Sequence, residues 1–188
     1  MRIALLEICG TDVLAGAVNG RTAQHRLLNE TAGEPVSPEP LFLDFAGIEV
    51  ATASFLRECV LGLRDIVRGR HSRFYPVVAN ANDVVREELS ELLRSRGDAL
   101  MTCVLSEDEE EVEETSMLGE LDPKQRLTFE LVREHGETDA GALMRDYGER
   151  EGLKRATAWN NRLASLAALG LVVEQSHGRA KRYRPLFE

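Results

Sequence analysis

The sequence predicts an α/β domain over residues 1–105, in which helices cover a layered sheet, and a small, mainly α domain over residues 120–188. The first prediction rests on alternation, because short apolar runs alternate with apolar residues at helical spacing. The second rests on a boundary, since seven of the eight residues from Glu107 to Glu114 are acidic. Like charges at this density repel one another and favour an extended, solvated chain. Residues 106–119 are therefore predicted to be an acidic linker.

The charge balance differs between the two predicted domains. Residues 1–119 carry 11 basic and 21 acidic side chains, whereas residues 120–188 carry 12 and 11. Within the second domain, residues 154–184 hold seven Lys or Arg residues and one acid, Glu174. Positive charge concentrated in one region of a protein with a net charge of −9 favours contact with a polyanion at that region.

The spacing of apolar residues predicts the elements of the first domain. Consecutive apolar residues predict strands over residues 3–9, 41–44, 48–51, 74–79 and 99–105. Helical spacing predicts helices over residues 22–31, 54–68 and 82–96. Asn82 is suited to be the N-cap of the last helix, and Gly97 is suited to end it.

The segment DFAGIEVATASFL, residues 44–56, resembles the central strand-to-helix motif of the STAS domain, the fold of anti-anti-sigma factors. Asp44, Gly47, Ile48 and Leu56 fall on matching positions, and the segment YPVVANAND resembles the following strand and helix of that family. The resemblance implies a STAS-like domain that dimerises or senses a signal or protein partner, such as a kinase-like ATPase. It also implies that Asp44 is structural.

One position departs from the STAS pattern. In members switched by phosphorylation, a Ser after the second Asp of the motif accepts phosphate, whereas here Thr52 stands at that Asp and Ala53 at that Ser. Thr52 and Ser54 flank the position, and two interpretations of them stay open. In the first interpretation, one of the two residues is the N-cap of the helix. In the second, one of them accepts phosphate, because a helix N-terminus favours negative charge.

The second domain begins with a helix predicted over residues 122–135. Asp122 is suited to the N-cap, and Pro123 is suited to the first helical position because its missing N–H would have no partner there. Gln125 is placed to complete a capping box by reaching back to the start of the helix.

Two further helices are predicted in this domain. Thr138 is suited to cap one over residues 139–147, and another spans residues 153–169 and stops at Gly170. The apolar spacing of the last helix directs three side chains inward, those of Trp159, Leu163 and Leu166.

This last helix is followed by an apolar strand and then by a basic run at residues 179–184. That order resembles the second half of a winged helix-turn-helix domain. The resemblance implies binding to double-stranded DNA, with the helix in the major groove and the basic hairpin against phosphates. One such domain makes few phosphate contacts, so we expect a homodimer on a two-fold operator. The candidate DNA-binding residues are Lys154, Arg155, Thr157, Asn160, Asn161, Arg162, Arg179, Lys181, Arg182 and Arg184.

Other classes of function lack their sequence signals. The three cysteines form no CxxC pair, the four histidines lack ligand spacing, and the chain contains no phosphate loop, HExxH or GxSxG motif. We therefore expect no metal, no cofactor and no enzymatic activity. The chain shows neither a signal-peptide pattern nor an apolar run near the ~20 residues of a membrane helix, so we expect a cytoplasmic protein. The alternative to a DNA-binding regulator is an adaptor that binds only proteins.

Overall fold

A computed structural model describes residues 1–106, 111–178 and 180–187. The chain divides into two compact units, Met1–Glu120 (unit 1) and Leu121–Glu188 (unit 2). The fold is mixed α/β with a mostly parallel central sheet. No helix within the described ranges is both long and apolar enough to cross a membrane.

Unit 1 contains a five-stranded sheet of order β1-β3-β5-β6-β7 and a separate parallel pair, β2-β4. In the larger sheet, β1, β3, β5 and β6 are parallel, and β7 runs antiparallel to β6. The strands are β1 Arg2–Ala4, β2 Val13–Leu14, β3 Glu39–Asp44, β4 Val50–Ala51, β5 Phe74–Ala79, β6 Ala99–Leu105 and β7 Val112–Gly119. The helices are α1 Leu5–Cys9, α2 Ala17–Glu30, α3 Ala53–Leu56, α4 Gly62–Gly69 and α5 Asp83–Arg96, with a π-helical turn, Arg57–Leu61, joining α3 to α4.

The core of unit 1 lies between the sheet and the helices. Leu43 and Val78 are register partners on β3 and β5, and both are fully buried. They belong to one apolar cluster with Phe55 and Val60 of the α3–α4 helix and Leu89 of α5. Every residue of β5 is buried, as expected for a central parallel strand.

Several local predictions for unit 1 are confirmed. The predicted strands at residues 74–79 and 99–105 are β5 and β6. Asn82 caps α5 by accepting a hydrogen bond from the Val85 N–H at 2.9 Å, and Gly97 ends the helix with a left-handed φ of 60°. These signals depend on neighbouring residues only, which is why the sequence reveals them.

The strand predicted over residues 3–9 is wrong from residue 5 onward. Only Arg2–Ala4 is extended, and Leu5–Cys9 forms α1, which ends where the Gly10 N–H donates to the Leu6 carbonyl at 2.8 Å. A short apolar run suits a buried strand and a buried helical turn equally well. The left-handed φ of 70° at Gly10 is typical of a helix end.

The acidic linker predicted over residues 106–119 is also wrong over most of its described part. Residues 112–119 form β7, which pairs with β6 from Ala99↔Gly119 to Leu105↔Val112. At the close approach to β6, a Cβ on Gly119 would lie 2.1 Å from the Asp98 carbonyl oxygen. An edge strand exposes one side to solvent and tolerates charged side chains there. Residues 107–110 of the predicted linker lie outside the described residues.

The described residues of unit 2 form three helices and an antiparallel hairpin: α6 Pro123–His135, α7 Ala140–Tyr147, α8 Thr157–Ala168, β8 Val172–His177 and β9 Ala180–Pro185. Asp122 caps α6 as predicted, with its Oδ1 accepting from the N–H groups of Lys124 and Gln125 at 2.8 and 3.0 Å. The capping box is wrong, because the Gln125 side chain donates instead to Ser165 Oγ at 2.8 Å.

Two other boundaries in unit 2 differ from the predictions. Asp139, rather than Thr138, caps α7, since its Oδ1 accepts from the Ala142 N–H at 2.9 Å. The Thr138 backbone pairs with that of Tyr183 through hydrogen bonds of 2.9 and 2.8 Å. The helix predicted from residue 153 begins only at Thr157.

Candidate nucleic-acid interface

Helix α8 carries one continuous exposed stripe. Its members follow the i, i+3, i+4, i+7, i+11 spacing of a single helix face: Thr157, Asn160, Asn161, Ala164 and Ala168. All five side chains are small, and none is acidic. A surface of this kind lets the helix approach a partner closely, and the two amides supply hydrogen-bond donors and acceptors.

The opposite face of α8 holds the helix in unit 2. Trp159, Leu163 and Leu166 have no exposed surface, and Ala167 is 4% exposed. The predicted inward side chains are therefore confirmed. Because one face is anchored in the core, the exposed stripe is presented on a rigid element rather than on a loop.

Lys154 and Arg155 lie in the segment that precedes α8, and both side chains are exposed. Neither forms an ion pair with any of the residues described in the structure. The prediction that both lie on the helix itself is wrong, since α8 starts at Thr157. Their position beside the N-terminal end of α8 nevertheless puts two unpaired cations next to the first turn of the stripe.

Arg162 lies apart from the stripe. Its side chain is 10% exposed, its guanidinium carbon lies 4.7 Å from the centre of the Trp159 ring, and Nη1 pairs with Glu151 Oε2 at 3.2 Å. This arrangement combines a cation–π contact with an ion pair and fixes the segment before α8. Arg162 is thus oriented toward the protein rather than toward a groove-bound base.

The cations of the hairpin already have acidic neighbours. Lys181 Nζ lies 2.8 Å from Glu174 Oε1, and Arg182 Nη1 lies 2.5 Å from Glu137 Oε1. The hydrogen bond and charge of Glu137 raise the pKa of Arg182. A phosphate at either cation would therefore compete with a carboxylate of the same unit.

The other two cations of the predicted basic run differ in position. Arg184 is half-buried, and its Nη1 donates to the Pro185 carbonyl at 3.2 Å. Arg179 lies outside the described residues.

In unit 1, Thr52 is the N-cap of α3. Its Oγ1 accepts from the Phe55 N–H at 3.4 Å and from the Gly16 N–H at 3.2 Å, and it lies 3.2 Å from Ser54 Oγ. The Ala53 N–H donates to the Glu88 carboxylate at 2.7 Å. The capping interpretation therefore describes Thr52. A phosphate on either hydroxyl would have to share this helix end with a carboxylate.

Asp44 is 1% exposed and serves as a polar anchor of the sheet. Its Oδ2 accepts from Arg2 Nη2 at 2.6 Å, and its Oδ1 accepts from the Ala46 N–H at 3.0 Å and from Asn80 Nδ2 at 2.9 Å. These donors occupy both carboxylate oxygens. They also connect the ends of three neighbouring strands, β1, β3 and β5.

No protein-family model matches the chain, and a search of curated proteins finds no match.

Proposed function

We propose that the protein is a DNA-binding transcriptional regulator whose unit 2 is a winged helix-turn-helix domain. The observation that carries the proposal is the exposed stripe of α8, which is narrow, uncharged and hydrogen-bonding. A major groove accepts such a helix, and an Asn side chain can make a bidentate contact with adenine. In this proposal Asn160 and Asn161 contact base edges, and Thr157 contacts the groove at the start of the helix.

The arrangement around α8 supports the same function. The β8–β9 hairpin follows α8 directly, and the pairing of Thr138 with Tyr183 connects the hairpin to the segment before α7. Lys154 and Arg155 then supply the principal phosphate contacts, because no carboxylate among the described residues pairs with them. Phosphate contacts of this kind set the position of the domain and its salt dependence.

In this proposal unit 1 is a STAS-like domain that brings two copies together or senses a signal or protein partner. A dimer would place two copies of α8 on half-sites one helical turn apart, about 34–36 Å. The two-fold arrangement multiplies the few contacts that a single unit 2 can make.

The test is a fluorescence anisotropy titration of the full chain against the duplex upstream of its own gene, with a scrambled duplex and a series of salt concentrations. We expect preferential binding whose affinity falls steeply with salt. The K154Q/R155Q double variant should reduce the slope of log affinity against log salt by about 2 for each bound copy of unit 2, and so by about 4 for a dimer on two half-sites, since each lost phosphate contact removes about 0.9. The K124Q/R126Q variant changes the net charge equally at exposed positions of α6 and should leave the slope within about 0.5 of the parent value.

The pairing of Arg182 gives a prediction of opposite sign. Glu137→Gln removes the carboxylate that competes with phosphate for Arg182, so we expect DNA affinity to rise about 3- to 10-fold at low salt, with a steeper salt dependence. Glu134→Gln, an exposed neighbour on α6, changes the net charge by the same amount. If both variants raise the affinity equally, net charge alone is responsible and Arg182 does not contact the phosphates.

The alternative function is an adaptor that binds proteins through both units. The carboxylates of Glu137 and Glu174 favour it, because they reduce the positive potential of the hairpin. Under this alternative the chain binds neither duplex at low salt, and the K154Q/R155Q variant behaves as the parent does.

A further inference from the structure

A cavity of about 240 Å³ opens on the surface of unit 1 between α1, β2 and α2. At about 30 Å³ for each water, it has room for roughly eight waters, or for an organic molecule of similar size. Its apolar part includes Leu14 and Phe55, both 1% exposed and both part of the core. The floor is therefore set by packed side chains and is formed before any ligand arrives.

One face of α2 supplies the polar part of the cavity. Asn19, Thr22 and Arg26 line it and follow the i, i+3, i+7 spacing of a single helix face. Arg26 is the only charged side chain among the residues that line the cavity. Its Nη1 donates to the Ile8 carbonyl, which holds the guanidinium at the rim and leaves its other N–H groups for a second acceptor.

Within the described part of the chain Arg26 has no carboxylate partner, unlike three other exposed arginines of unit 1, and unlike Arg73, whose guanidinium donates to two backbone carbonyls, it lines a cavity. Arg21 and Arg57 both pair with Glu58, and Arg70 pairs with Glu34. No acidic side chain of the described part of the chain lies within ion-pair distance of Arg26. An arginine fork beside an apolar cavity is complementary to a carboxylate that carries an apolar group.

We propose that this cavity is a binding site for a small monocarboxylate with an apolar body of about eight to eleven non-hydrogen atoms, whose carboxylate binds Arg26. The apolar body lies against Leu14 and Phe55. The proposal does not rest on DNA binding, and its test contains no DNA. Ligands of this size bind with dissociation constants on the order of 1 mM when each non-hydrogen atom contributes about 0.4 kcal/mol to the free energy of binding.

Cys9 provides a readout of occupancy. It lines the cavity and is half-buried, whereas Cys59 and Cys103 are buried. Burial raises the pKa of all three thiols, that of Cys103 to about 12 with a further contribution from Asp44. A neutral thiol reagent such as iodoacetamide should therefore modify Cys9 first in the folded protein, and Cys9→Ser should remove that first phase.

The experiment measures the rate of Cys9 modification in the full chain with benzoate, phenylacetate and 3-phenylpropionate, each beside its neutral amide. We expect at least one acid at 10 mM to slow the reaction about tenfold with a saturable dependence, as a dissociation constant on the order of 1 mM requires. The matching amide should slow it less than about twofold, because the amide lacks the charge that the guanidinium attracts.

Two matched variants on α2 complete the test. Arg26→Gln should remove the protection by the acid, whereas Arg21→Gln, whose side chain contacts Glu58 and does not line the cavity, should retain it. The proposal is overturned if none of the three acids protects Cys9. It is equally overturned if an acid and its amide slow the modification of Cys9 equally. The same holds if the acid slows the modification in the Arg26→Gln variant as much as in the parent.

Discussion

Replacing Ala164 with Glu is expected to weaken binding to duplex DNA by at least about 100-fold while leaving unit 2 folded. Ala164 is exposed at the middle of the α8 stripe, one turn after Asn160 and Asn161. In the proposed complex a carboxylate at this position faces the groove between two rows of phosphates, where like charges cost several kcal/mol. Glu is a good helix former, so the substitution itself does not disfavour α8. Anisotropy titration at constant salt measures the effect.

Ala164→Gln is the matched control, because Gln has the size and helix propensity of Glu without its charge. We expect this variant to lose less than about tenfold in affinity, so that the difference between Gln and Glu isolates the charge. Far-UV circular dichroism and Trp159 fluorescence check that both variants remain folded. Equal affinities of the Glu variant and the parent would remove α8 from the DNA interface and with it the proposed function.

Local chemistry accounts for the parts of the fold that the sequence predicted. The caps at Asn82 and Asp122 and the helix end at Gly97 depend on side chains and backbone within a few residues. The buried strand β5 is an unbroken apolar run. The exposed face of α8 follows from the spacing of Trp159, Leu163 and Leu166, because the residues on the opposite face of the helix point outward.

The predictions of the fold are wrong where contacts between residues far apart in the sequence determine the local structure. Residues 112–119 carry the charge of a linker, yet pairing with β6 makes them a strand. Thr138 has the chemistry of a helix cap, but its backbone forms hydrogen bonds with the backbone of Tyr183, 45 residues later. Neither outcome can be deduced from the neighbouring residues.

The electrostatics of the candidate interface were the least predictable part. Seven cations against one acid in residues 154–184 suggested a uniformly basic surface. Glu174 of that segment pairs with Lys181, and two further acids come from outside it, since Glu137 pairs with Arg182 and Glu151 pairs with Arg162. Counting charges along the chain overestimates the free positive charge, because pairing partners are set by the fold. Lys154 and Arg155, which form no ion pair within the part of the chain that the structure describes, consequently become the more informative targets.

Asp44→Ala should destabilise unit 1 by about 3 kcal/mol, because it removes the buried carboxylate that accepts from the Arg2 guanidinium, the Ala46 N–H and the Asn80 amide. The estimate lies at the lower end for a buried ion pair because the partner, Arg2, is 26% exposed. Each unit has its own reporter, since all three cysteines lie in unit 1 and the only tryptophan, Trp159, lies in unit 2. Unfolding of unit 1 in urea is followed by the reaction of Cys59 and Cys103 with iodoacetamide. The urea concentration at the midpoint of this transition should fall by about 1 to 2 M.

The matched control is Asp65→Ala, which removes an ion pair of similar length at the surface. Asp65 Oδ1 lies 2.8 Å from Arg64 Nη2 but is 54% exposed, and Arg64 keeps its second partner, Asp98, at 2.7 Å. Solvent screens such a pair, so we expect a loss below about 1 kcal/mol. The two variants therefore compare the same chemistry in buried and exposed settings. A loss of less than about 1 kcal/mol for Asp44→Ala would show that solvent replaces its contacts, and that Asp44 does not anchor the three strands whose ends it connects.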